Sequence, residues 1–310
     1  MKTWNPILLT LWEVKDMSKL LRANFYRLSK DILFYIVLIT NTILTIIFSN
    51  NLYQYGSIDS FYLTIQPIIY SAFIAFYIGK EYGNKTIRNK LICGHTRVSV
   101  YFSYLITCIV ASIATILPGI IIFCVWNIRF LSAIKFSVAI LILLGYLLLH
   151  CACCAVFVAV GFITPSKAVC VVIVAIVALS GILISEYTVE ILSESKTLQE
   201  MVINENGMYT LVDSDTPNPN YVDGTPREIL YRINNFMPQA QISEYGSCLS
   251  KWYIEWEHEK NVDTTKCDVL FKDSAVVSQD IQYRFFINQI VLITLATLGG
   301  CLLFRKKDLK

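Results

Sequence analysis

The chain has 310 residues, with 26 Lys and Arg, 23 Asp and Glu and a formal net charge of +3. Hydrophobic residues make up 55% and charged residues 16%, against about 45–50% and about 25% in soluble domains, which argues against a soluble enzyme. Every Asp, Glu, Lys and Arg falls outside six segments: 32–49, 61–79, 101–126, 136–162, 168–185 and 285–304. A hydrocarbon core of about 30 Å is crossed by about 20 apolar residues at about 1.5 Å each, and a backbone in lipid must satisfy its own hydrogen bonds. The expected fold class is an all-α membrane protein with six transmembrane helices.

In chain order, residues 1–31 read as a cytoplasmic leader. The apolar run Ile7–Trp12 before Glu13 is too short for a signal peptide, so none is expected. From Met17, Leu21, Phe25, Leu28 and Ile32 recur at helical spacing among Lys19, Arg22, Arg27 and Lys30, which predicts an amphipathic interfacial helix. Residues 32–185 hold the first five spans, with a polar loop at 80–97. The fourth and fifth segments cannot be one helix, because 136–185 would measure about 75 Å. Pro165 supplies the break, with Lys167 on the polar side. Residues 186–284 form a separate domain, 285–304 the sixth span and 305–310 a cytoplasmic tail.

Charge sets the orientation. Sixteen Lys and Arg lie in 1–31, 80–97, 167 and 305–310, whereas 50–60 and 127–135 hold only Arg129 and Lys135. Both termini are therefore expected in the cytoplasm, in the plasma membrane of a bacterium, and 186–284 outside. That domain carries 8 basic and 17 acidic residues. It is expected to continue the fifth helix, since Val189, Leu192, Met201 and Val202 recur among charged residues. A turn-rich break at Asp213–Pro226 and a second half with Trp252 and Trp256 would complete an α-rich extracellular cap. Its acidity would steer cationic peptides or simply keep it soluble.

Eight of the ten cysteines lie in spans or on the cytoplasmic side. Cys248 and Cys267 are a lone pair outside, which suggests one disulfide. His150, Cys151, Cys153 and Cys154 lack zinc-site spacing and read as helix packing. Asp213 and Asp215 open like a calcium loop, but Pro217 and Gly224 stand where ligands are needed. Glu255, Glu257, His258 and Glu259 read as a solvated acidic face. Asn84-Lys85-Thr86 matches a glycosylation pattern on the wrong side of the membrane. No phosphate-binding loop, His-Glu-x-x-His or Gly-x-Ser-x-Gly occurs, so no enzyme activity, bound cofactor, metal or nucleic-acid partner is expected. His150 is the one ionisable candidate at membrane depth. Asn41, Gln66, Asn288 and Gln289 read as interhelix hydrogen-bonding residues.

The loop between the second and third spans is the most specific feature. Thr86–Ile92 predicts a short helix, with Asn84 as amino cap and Gly94 as stop. Ile87 and Leu91 share one face, suited to docking on a soluble partner. The run Glu81-x4-Thr86-Ile87-Arg88-Asn89-Lys90-Leu91-x2-Gly94-x2-Arg97-x3-Tyr101, with the six-span layout, resembles the permease subunit of type 2 ABC exporters. Where members often carry Gly before Thr-Ile-Arg, this chain has Lys85. The resemblance implies that this loop is a coupling helix, with Glu81, Thr86, Ile87, Arg88, Asn89, Lys90, Leu91, Gly94 and Arg97 as contacts of a separate ATPase subunit. It also implies ATP and Mg2+ in that partner, a second permease chain, and export of a peptide, lipid-like or drug-like substrate through the bilayer. The competing class is a receptor whose acidic outer domain binds a ligand.

Overall fold

The computed structural model describes residues 6–55, 60–133, 136–164, 166–203, 209–241 and 280–307. Its elements are α1 (Pro6–Leu28), α2 (Ile32–Tyr55), α3 (Ser60–Gly83), α4 (Thr86–Ile92), α5 (Arg97–Trp126), α6 (Ile128–Ala133), α7 (Phe136–Ile163), α8 (Lys167–Ser193), β1 (Thr197–Ile203), β2 (Tyr209–Pro217), α9 (Thr225–Phe236) and α10 (Asp280–Lys306). Among the described residues, four helices are long and apolar enough to cross a membrane: α5, Leu143–Ile163 of α7, α8, and Phe286–Lys306 of α10. A fifth candidate is the pair Met17–Leu28 and Ile32–Ile47, bent by 67°. α3 is helical throughout but carries Lys80 and Glu81 near its end and falls outside this group. The chain is a multi-pass helical membrane protein.

Two local devices set helix starts. Thr96 accepts a hydrogen bond from the Ser99 amide and begins α5, and Ser166 does the same for Val169 in α8. At the bend before α2, Asp31 Oδ1 accepts from the Leu33 amide at 3.1 Å, while its other oxygen holds Lys80 Nζ at 3.0 Å. One carboxylate thus caps α2 and ties it to α3.

The helices pack as α7 with α10, α3 with α8, and α5 with α1 and α2. Small residues permit the closest approaches. A Cβ on Gly300 of α10 would come within 2.5 Å of the Tyr101 hydroxyl and 2.9 Å of the Ala159 backbone. One on Gly119 would meet Thr45 Oγ1 at 2.5 Å. Phe162, fully buried, joins four helices, with ring centroids 4.8 Å from Phe304, 5.1 Å from Tyr101, 5.6 Å from Tyr104 and 6.2 Å from Tyr82.

Several expected boundaries change. The leader helix begins at Pro6 rather than Met17, and its apolar side is pressed on α5. The fifth helix does run on past 185, to Ser193. β1 and β2 then pair as antiparallel strands, with Glu200 opposite Val212 and Val202 opposite Thr210, so the first part of the expected α-rich cap is β. Met201 and Val202 lie in β1, and Asp213–Pro217, expected as a turn, is the end of β2. The last helix starts at Asp280, before the expected 285. Cys248, Cys267, Trp252, Trp256 and the 255–259 acidic face lie outside the described residues. The eight described cysteines are free thiols.

Candidate functional site

The geometry of α4 begins with its ends. Lys85 has φ 56°, a left-handed conformation in which glycine avoids the Cβ clash that other residues bear. Asn84 is not the cap: the residue before α4 is Lys85, and no side chain caps the helix. Gly94, at φ 92°, closes the other end, as expected of a glycine stop.

The nine residues expected to meet a partner divide by where they point. Ile87 is 1% exposed and belongs to the bundle core. Lys90 is buried as well: its Nζ donates to Asn24 Oδ1 at 2.6 Å and to the Tyr104 hydroxyl at 2.7 Å. The Tyr104 hydroxyl donates to Glu81 Oε2, which also holds Arg27 Nη1 at 2.9 Å. Asn24 Nδ2 donates to Ser103 Oγ at 3.1 Å. One connected set of side chains therefore joins α1, α3, α4 and α5. Burial pushes the Lys90 amine down to about 8, and Glu81 pulls against that shift. Thr86 and Leu91 are half-buried, and Leu91 packs on the core with Ile87. Arg88, Asn89 and Gly94 are exposed, joined by Ile92 at 72%. The apolar face read from Ile87 and Leu91 is thus spent on the bundle, and the outward face is Arg88, Asn89 and Ile92.

Arg97 turns to the end of α10, where Nη1 donates to the carbonyls of Phe304 at 3.0 Å and Arg305 at 2.8 Å. Lys307 reaches the end of α7, donating to the carbonyls of Phe162, at 3.0 Å, and Thr164. Tyr82 donates to the same Phe162 carbonyl at 2.8 Å. Cations and a hydroxyl so satisfy the unpaired carbonyls of two helix ends. Burial also pushes Lys307 down to about 8.

Sequence reasoning missed Asn24, Arg27 and Tyr104. Asn24 left one sign: it stands four residues from both Leu20 and Leu28, a lone amide inside an apolar stripe.

At mid-bundle the polar contacts are neutral. Asn41 Nδ2 donates to the Tyr70 hydroxyl at 2.6 Å, and the Tyr146 hydroxyl donates to Gln66 Oε1. His150 has Nε2 3.1 Å from that Gln66 oxygen and Nδ1 2.9 Å from the Tyr146 carbonyl, so it ties α7 to α3. Asn288 donates to the Asn235 carbonyl at 3.4 Å. Gln289 is buried, and among the described residues both its amide atoms are without a hydrogen-bond partner.

Compared with known proteins, the chain matches no family model and no curated protein.

Proposed function

We propose that this chain is the permease subunit of an ATP-driven exporter of the type 2 ABC class. In this reading it has six spans, with α2 and α3 as the first two, and both termini in the cytoplasm of a bacterial cell. A separate ATPase, holding ATP and Mg2+, seats on the outward face of α4, and a second permease chain completes the path. The cargo is a peptide, a lipid-like or a drug-like molecule. The region between α8 and α10 lies outside the cell, braced by a Cys248–Cys267 disulfide.

The observation that carries the reading is the two-sided build of α4. Ile87 and Lys90 fasten it to α1, α3 and α5, while Arg88, Asn89 and Ile92 are left free of the bundle. A helix that served only as a connection would need no buried lysine. A helix that receives a push from a soluble partner needs both an exposed face and a stiff attachment.

The test is co-purification in mild detergent of tagged wild type beside Arg88→Glu/Ile92→Glu, both exposed positions. A substitution at Ile87 would report folding instead. An ATPase retained by wild type and lost from the variant supports the permease reading. A stable wild-type complex with a kinase and no ATPase would replace it with a receptor.

A further inference from the structure

α1 presents three surfaces. Leu20, Asn24 and Leu28 are buried, Leu21 and Phe25 are half-buried, and Lys19, Arg22, Tyr26 and Lys30 are exposed on the opposite side. At about 100° per residue Lys19, Arg22 and Tyr26 lie within an arc of about 60° of α1, and Lys30 follows in the turn after the helix. No Asp or Glu occurs from Met17 to Lys30, and the next carboxylate, Asp31, is buried and bound to Lys80. Tyr26, 67% exposed, has Lys30 Nζ 6.0 Å from its ring centroid.

The 67° bend after this face turns the chain into α2, and the Tyr35 hydroxyl donates back across it to the Ser29 carbonyl at 2.9 Å. Where the basic face stops, an apolar row begins: Ile32, Ile36, Ile39 and Ile43, each more than half exposed. From Ile32 to Ile43 the helix rises about 16 Å. That is about half of a 30 Å hydrocarbon core, the depth of one leaflet. A cationic arm with an aromatic ring, set across the end of a leaflet-deep aliphatic row, matches a phospholipid in both charge and length. A soluble protein partner would have no use for the row, and a free anion no contact with it.

We infer that α1 and the first half of α2 form a seat for an anionic phospholipid. Its phosphate lies against Arg22 and Lys30, with Lys19 one turn before Arg22. Tyr26 sits at headgroup level, and the acyl chains run along Ile32, Ile36, Ile39 and Ile43. The inference needs only a membrane protein, so it stands or falls separately from the transport reading.

The experiment reconstitutes the full chain in phosphatidylcholine bilayers. The fraction of spin-labelled phosphatidylglycerol held immobile at the protein is compared with that of spin-labelled phosphatidylcholine. Wild type is expected to prefer phosphatidylglycerol, less so at high salt, and glycerol phosphate without acyl chains should not compete. Arg22→Gln/Lys30→Gln, both at exposed positions, should lower the preference by about fivefold per charge at low salt. Arg88→Gln, a charge removed from α4, should leave it unchanged. Absence of a preference in wild type, or its full retention in the double variant, overturns the seat. So does competition by glycerol phosphate, which would make the face a site for soluble phosphate. A double variant that keeps the lipid preference but sheds a co-purifying protein would make the face a protein-docking surface instead.

Discussion

The two ends of the polarity scale inside this bundle sit in different places. Around α4, helices are joined by full charges: Arg27 with Glu81, Lys80 with Asp31, and Lys90 among Asn24 and Tyr104. Farther along α3, and on α2 and α7 beside it, Asn41, Gln66, Tyr70, Tyr146 and His150 do the joining with amides, hydroxyls and one imidazole. The cost of a charge explains the division. Moving an ion into an apolar interior costs several kcal/mol even after relaxation, whereas a neutral amide with a partner is tolerated anywhere in the span. Charge gives the α4 end strong, interdependent links, and neutrality gives the middle weak, separable ones.

The sharpest way to break this contrast is Glu81→Ala. It strips Arg27 and Tyr104 of their acceptor and leaves Lys90 as a buried cation with no carboxylate nearby, so the expected loss is about 3 kcal/mol. A thermal melt in detergent should show it, and Glu81→Gln combined with Lys90→Met should recover most of it.

A smaller effect comes from pH. The Lys90 amine is near 8 in the folded chain and near 10.4 when unfolded. Between those values the unfolded chain binds the extra proton, so stability rises with pH. From pH 7.5 to 9.5 the expected gain from this one group is about 2 kcal/mol. Lys307 is shifted the same way, so the quantity to measure is the difference between wild type and Lys90→Met, which should lack the Lys90 share.

The smallest effect belongs to the middle of the bundle. Gln66→Leu removes the partner of Tyr146 and His150 at an expected cost of about 1 kcal/mol. A loss as large as that of Glu81→Ala would erase the distinction between the two regions.

Most helices were legible because lipid imposes both length and apolarity, and the ends of Thr86–Ile92 were read from local residues alone. What escaped was non-local. Glu81 meets Arg27 across 54 positions and Lys90 meets Asn24 across 66, and no period in the sequence encodes such pairs. The strand pair escaped for a related reason. Val202 gains its place as a strand residue from Thr210 opposite it, while by itself the 197–203 stretch, with Leu198, Met201, Val202 and Ile203 beside Gln199 and Glu200, fits a helix equally well. Asn84 looked like the better cap because side-chain oxygen is the usual signal, yet the chain turns at Lys85 by backbone conformation instead.

That turn has a mechanical side. With left-handed residues at both ends, Lys85 and Gly94, the helical ladder of hydrogen bonds is cut before and after α4. The seven-residue piece is therefore not a stretch of a longer rod but a cam between two pivots. What holds the piece to the bundle is two side chains, Ile87 packed in the core and Lys90 tethered at once to Asn24 of the leader helix and to Tyr104 of the following span.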